Sequence, residues 1–372
     1  MSHPSPLREA LGDPGRGRPG AAATAGRLAA RPWRRQRLAG LALLGAVLVA
    51  AVLVATSLGS ARIPLGTVWA VLLSPVLPQR LPADLPASTV AIVLEVRLPR
   101  VVLAGLVGGA LALAGATYQG VFRNPLADPY LLGVASGAAV GASIGMLVAL
   151  RPGGVDLVPL LAFGGAMASV VAVYLLGRVD RRVPPTTLVL AGVAVASFLS
   201  AVNTYLMLLA GERVVQILSW LLGGLTTSTW SQVHAVLPYL LVGGSLLVLF
   251  GYRLNVLQLD EEQAKQLGVD VDRVRLALIF CSALVTAAAV SVSGTIGFVG
   301  LVVPHVVRLL WGPDYRTLLP LAALAGASFL ILADTVARTV LSPTELPVGA
   351  VTAFVGAPFF VYLLRQRKRE VV

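Results

Sequence analysis

Residues 274–310 run VRLALIFCSALVTAAAVSVSGTIGFVGLVVPHVVRLL, and the way this stretch folds decides the architecture. It is apolar over most of its length, with breaks at Ser291, Ser293, Gly294, Thr295, Pro304, His305 and Arg308. As a single helix at about 1.5 Å per residue it would measure roughly 55 Å, against a hydrocarbon core of about 30 Å. The chain must therefore turn back, and Ser293-Gly294-Thr295 is the predicted point of reversal. The stretch becomes a pair of spans, the second one short.

Working outward, further apolar runs lie near 38–58, 100–120, 129–150, 157–177, 186–210, 234–252, 317–340 and 346–364. With the pair they make ten. Composition agrees: 57% of the 372 residues are AVILMFWYC and 12% are charged, where a soluble chain carries about 25%. Mean hydropathy is +0.85. The prediction is an all-α polytopic membrane protein of about ten transmembrane helices, without a large soluble domain. The first run, about 21 residues, exceeds the roughly 7–15 of a signal-peptide core, so it is expected to be retained. Residues 1–37 carry eight arginines and no apolar run, and are expected to form a disordered, basic cytoplasmic arm. Residues 38–365 hold the ten-helix transmembrane domain, and 366–372 a basic cytoplasmic tail. The apolar segment Val214–Leu222 is too short to cross and is expected as an interfacial or re-entrant helix outside.

The 29 basic residues test the count. With both termini inside, 22 fall on the cytoplasmic side and 7 outside, namely Arg62, Arg80, Arg97, Arg100, Arg151, Arg213 and Arg338. The positive-inside rule asks for this bias, and nine spans would put the basic tail outside. The net charge of +12 then reflects orientation and attraction to the anionic inner leaflet, not a nucleic-acid surface.

Few residues offer chemistry. Cys281 is the single cysteine, which excludes an intrachain disulfide and a thiolate metal cluster. Lysine occurs only at 265 and 368, in contexts that cannot form a GxxxxGK[ST] phosphate loop. If ATP drives this protein, the ATPase is another chain. His305 fits a packing role better than a metal or proton-relay role, and no two carboxylates share a helical face within the membrane, which weakens proton coupling. Gly133, Gly137, Gly141 and Gly145 form one small-residue stripe, and Gly108, Ala112, Ala116 and Gly120 another, suited to close helix packing or to a subunit interface. The longest inner loop, about 253–275, predicts a short amphipathic helix ended by Gly268 and a second short helix from near Asp270. Such a protrusion suits a cytoplasmic partner or is merely solvated. Arg97, Arg100 and Arg338 run against the charge bias. They either serve a partner or an anion, or pair locally, Arg338 with Asp334 at i,i+4 and Arg97 with Glu95.

Several strings resemble the FecCD-type permeases, the membrane subunits of ABC importers for iron-siderophores, haem and cobalamin. They are Arg97-Leu98-Pro99-Arg100, Ala110 to Gly115, Gln119, Arg123-Asn124-Pro125-Leu126-Ala127-Asp128-Pro129, Leu132-Gly133, Gly297 to His305, Ala333-Asp334, Glu345 to Gly349 and Gly356 to Phe360. The resemblance covers about 90–370. It implies the type II ABC importer permease fold and a homo- or heterodimer with the pathway at the subunit interface. It further implies two cytoplasmic ATPase subunits carrying the ATP and magnesium, an extracytoplasmic substrate-binding protein, and a bacterial cytoplasmic membrane. Carried onto this chain, it assigns binding-protein docking to Arg97, Arg100 and Arg338, ATPase coupling to Glu261, Ala264 and Gly268, and a cytoplasmic gate to Thr186 and Thr187. The chain is then no enzyme and holds no cofactor or metal of its own. An ion-coupled secondary transporter is the alternative, and an intramembrane enzyme using His305 or Asp334 a remote third.

Overall fold

The computed structural model describes residues 19–59, 63–74, 85–148, 156–179 and 183–370. Residues 1–18 of the arm, the end of the tail at 371–372, and Arg62, Arg80, Arg151, Arg181 and Arg182 from the charge count lie outside the described residues. Ten principal helices carry the fold: α1 (Pro19–Ser57), α2 (Leu98–Val121), α3 (Val134–Val148), α4 (Val158–Gly177), α5 (Pro185–Leu209), α6 (Trp230–Leu249), α7 (Val271–Ser293), α8 (Val299–Trp311), α9 (Tyr315–Thr339) and α10 (Val348–Glu370). Among the described residues, six helices are long and apolar enough to cross a bilayer, α1 through its 35–57 portion and α4, α5, α6, α7 and α9 whole. α3, α8 and residues 348–362 of α10 are shorter apolar helices, and α2, with 24 residues, has a spanning length. The chain is an all-α, multi-pass membrane protein.

The reversal falls where the sequence places it. α7 ends at Ser293, and Gly294 follows at φ 64 and ψ −163, a conformation that glycine tolerates and L side chains do not. α8 has 13 residues, about 20 Å of rise, so the break lies below the membrane surface and its polar backbone needs protein partners. They come from two sides. Gly224 N donates to Ser293 O at 2.9 Å and the Thr295 hydroxyl to Leu221 O, behind the short helix Val214–Leu221. From the α2–α3 loop, the Tyr130 hydroxyl donates to Ile296 O at 2.9 Å and accepts from Ile296 N at 3.0 Å.

α2 is the hub, packed by α6, α7, α8 and α9, with every residue from Ala110 to Val121 buried. Glycine makes this possible. A Cβ on Gly108 would collide with the Gly326 carbonyl, one on Gly326 with the Gly108 carbonyl, and one on Gly115 with Gly300. Gly137 and Gly165 make the same reciprocal contact between α3 and α4. Lipid gives helices no hydrophobic reason to associate, so van der Waals contact through these small-residue stripes supplies the packing. Both stripes are used within the subunit.

Four boundaries depart from expectation. Residues from Pro19 onward are helical and continuous with the first span, so the disordered arm over 1–37 does not hold for 19–37. Ala, Leu and Arg are strong helix formers, and Pro19 occupies the first helical position, where proline is tolerated. α3 starts at Val134 because the Asn124 and Asp128 carboxamide and carboxylate accept from Leu126 N and Tyr130 N at 3.0 and 2.8 Å, holding the preceding segment in turns. α6 starts at Trp230, where the Thr229 hydroxyl accepts from Gln232 N. Its polar first turn hides it from a hydropathy reading. The second short helix expected from Asp270 is instead the beginning of α7, since nothing between Val271 and Ser293 breaks it.

Candidate functional site

At one end of the bundle, the end predicted to face outside, the last carbonyls of α1 have no intrahelical donors and carry the negative end of the helix dipole. Two guanidinium groups meet them. Arg97 Nη1 donates to Thr56 O at 2.8 Å and Ser57 O at 3.0 Å, and Arg338 Nη2 donates to Ala55 O. Gly59 leaves room for this, since a Cβ there would press on the Arg97 guanidinium at 2.8 Å. Between them, Arg100 forks onto two carboxylates. Its Nε and Nη2 reach Asp334 at 2.8–3.1 Å, and Nη1 and Nη2 reach Glu345 at 3.0 and 2.9 Å. A planar five-donor guanidinium suits such double recognition, which a lysine cannot copy. Arg338 Nε lies 3.7 Å from Asp334. This charge clasp ties together α1, α2, α9 and the loop before α10.

The three arginines predicted for docking are thus brought together, but not on the surface. Arg97 and Arg338 are 5% and 7% exposed, and the Arg100 side chain 11%. Both readings of Arg338 left open by the sequence meet here, since it does face Asp334. Glu345, 34% exposed, is the accessible edge of the clasp. The wide helical turn Ile92–Arg97 that delivers Arg97 is held by Trp230 Nε1, which donates to Leu94 O at 2.9 Å.

At the opposite end, predicted to face the cytoplasm, Glu261–Gln266 forms the predicted short helix. Gly268 at φ 74 ends it, Gly268 N donating to Lys265 O at 2.9 Å and Val269 N to Ala264 O at 3.2 Å. These two bonds are those of a glycine-terminated helix cap. Open space surrounds Gly268, so the residue is required by backbone conformation and not by packing. Ala264 is 1% exposed and anchors the helix inward. The exposed face of the helix is formed by Glu262, Gln263, Lys265, Gln266 and Leu267, the last 56% exposed.

The stem of this protrusion is bolted to α2 by a residue the sequence reading counted only as a charge and a motif letter. Arg123, at φ 47 just past α2, donates through Nε to Leu257 O at 2.8 Å and through Nη2 to Leu259 O at 2.5 Å. Gln258 Nε2 returns the contact to Gly120 O at 3.0 Å. A non-glycine residue at positive φ just past a helix is the only local anomaly that marks it, and it is invisible without coordinates. On the α9 side, Asn255 Nδ2 donates to Asp314 Oδ1 at 2.6 Å while its Oδ1 accepts from Tyr315 N at 2.9 Å.

Thr186 and Thr187 lie in the first turn of α5, behind Pro184 and Pro185. Thr186 is exposed. Thr187 Oγ1 sits 2.6 Å from Gly177 O and 2.9 Å from Pro184 O, tying the start of α5 to the end of α4. Among the described residues no three of His, Cys, Asp or Glu gather as a metal site.

The sequence model of the FecCD transport family matches residues 29–366. The chain belongs to the FecCD transport family. Among its relatives, the uncharacterised ABC transporter permease protein YvrB of Bacillus subtilis is 45% identical over 317 residues, 84% of this chain and 89% of that one. The cobalamin import system permease protein BtuC of Halobacterium salinarum is 47% identical over 285 residues, 76% of each chain. A solved inward-facing transporter, assigned to the metal-chelate type of ABC transporter, superposes with a TM-score of 0.76 at 32% identity, covering 88% of this chain and 98% of that one. FecCD proteins are transport permeases.

Proposed function

We propose that this chain is the membrane-spanning subunit of an ATP-driven importer for a metal chelate of the iron-siderophore, haem or cobalamin class. The observation that carries the reading is the family match over 29–366, joined to a rigid inner protrusion on a chain that lacks any phosphate-binding loop of its own. Two copies of this or a related permease form the pathway at their interface, in a bacterial cytoplasmic membrane with both termini inside. Two separate ATPase subunits hold ATP and magnesium and press on the segment from Glu261 to Gly268. A substrate-binding protein delivers the chelate outside. Its docking acids meet the clasp at Arg100, the arginine whose fork on the half-exposed Glu345 is exchangeable. Arg97 and Arg338 act from beneath by fixing the end of α1. Thr186 and Thr187 stand at the inner mouth as the gate.

Transport then follows alternating access. ATP binding closes the partner subunits, the protrusions move, and the ligand is released into the dimer cavity and onward. A pathway that must release its cargo needs no tight site. The test is uptake by vesicles holding the permease, its ATPases and its binding protein, offered ferric siderophore, haem, cobalamin and free ferric ion in turn. We expect import of the one chelate that the binding protein retains on purification. Import of the free ion at an equal rate would reject the chelate assignment.

A further inference from the structure

The outer ends of α4 and α6 stand apart above α7. A groove of about 710 Å3 lies between them, walled by Leu160, Phe163, Val236 and Tyr239 and floored by Ala288 and Val292. Leu160 and Tyr239 on its lips are 64% and 45% exposed, so on a membrane-spanning surface the groove opens to lipid. The Phe163 and Tyr239 rings, 5.3 Å between centroids, close its lower end. From Val158 down to Phe163 is about 8 Å of helix rise, about half of one leaflet's hydrocarbon depth of about 15 Å. Its upper end is polar and continues into a cavity of about 420 Å3 reached by Asp156, Arg213, Thr227 and Gln232.

This gradient, polar above and apolar below along the membrane normal, is that of an amphiphile and not of a soluble chelate. The polar end is also unfinished. Among the described residues no group donates to the buried Gln232 Oε1, so an acceptor stands in the cavity wall for a ligand's N–H. Asp156 uses Oδ1 to cap the start of α4 through Val158 N at 3.0 Å. Arg213 uses Nη1 on Met146 O and Leu147 O at 2.8 and 2.6 Å. One anion, one cation and one orphan acceptor sum to a neutral site that complements a zwitterion carrying N–H donors.

We propose that the α4–α6 groove binds an outer-leaflet phospholipid with a primary-amine headgroup, of the phosphatidylethanolamine type. The ammonium donates to Gln232 Oε1 and pairs with Asp156, the phosphate accepts from Arg213, and one acyl chain lies along Leu160, Val236 and Tyr239. A choline headgroup has no N–H for Gln232, and an anionic glycerol headgroup meets the Asp156 carboxylate unfavourably.

Native mass spectrometry of the detergent-solubilised transporter tests this, with phosphatidylethanolamine, phosphatidylcholine and phosphatidylglycerol of identical chains as probes. Retention of the ethanolamine lipid is expected to exceed that of the other two by about tenfold, the weight of one hydrogen bond to a charged group. Gln232→Leu should erase the preference over the choline lipid while leaving that over the glycerol lipid, which Asp156 sets, and Gln232→Glu should widen both. Equal retention of the three lipids by the wild type, or an unchanged preference in both variants, would overturn the proposal. The Gln232→Glu variant keeps a polar side chain, so its result stands even if Gln232→Leu fails to assemble.

Discussion

Replacing Arg100 by alanine is expected to lower the stability of the purified permease by about 3–5 kcal/mol, the cost of stripping one partner from a buried ion pair. Asp334 is 1% exposed, and Arg100 supplies three of the N–H contacts on its carboxylate. Arg338 stands farther off, at 3.7 Å, and cannot replace them. Thermal unfolding in detergent measures the effect. Adding Asp334→Asn to Arg100→Ala should recover most of the loss, because the stranded charge and not the missing arginine is the source of the cost. A small effect of Arg100→Ala alone would mean that water or Arg338 already satisfies Asp334. Glu345→Gln, at the exposed edge, should change stability little. By releasing one arm of the Arg100 fork, it should also strengthen docking of the binding protein.

The second large effect is expected at Arg123. Its guanidinium holds the carbonyls of Leu257 and Leu259, so displacement of the inner protrusion is passed directly to α2, the helix on which four others pack. Arg123→Ala should leave the Glu261–Gln266 helix and its exposed face intact, and with them ATPase assembly. It should cut uptake per ATP hydrolysed by roughly tenfold, the worth of about one charge-assisted hydrogen bond. Arg123→Lys, with one ammonium in place of the two-pronged guanidinium fork, should fall between. The measurement is the ratio of transport to hydrolysis in proteoliposomes. An unchanged ratio in Arg123→Ala would show that force reaches the pathway by another route, such as the Asn255 contacts with α9.

What the sequence discloses and what it hides follow from physical scale. The reversal at Gly294 is legible because 37 apolar residues outrun a bilayer. Gly268 is legible because a helix needs an end and few residues other than glycine accept its φ of 74. The resemblance assigns Glu261, Ala264 and Gly268 to partner contact, and of these Ala264 is buried against the protein while Gly268 is exposed. The outer arginines mislead in part. Their departure from the charge bias marks them correctly as special, but their partners are carbonyls of α1, some 40 residues away from Arg97 and some 280 from Arg338. Main-chain acceptors leave no trace in composition or periodicity, so burial of Arg97 and Arg338 emerges only when α1 is packed in place. Arg123 is hidden for the same reason.

The central claim, that a separate ATPase drives this permease, is tested most directly by loading vesicles and changing one energy source at a time. Permease reconstituted with its ATPase subunits and loaded binding protein should import chelate on addition of ATP and magnesium inside, with the membrane held at zero proton and sodium gradient. Permease alone under either gradient should import nothing. Gradient-driven uptake by the chain alone, without any ATPase present, would contradict the account and make the protein a secondary transporter.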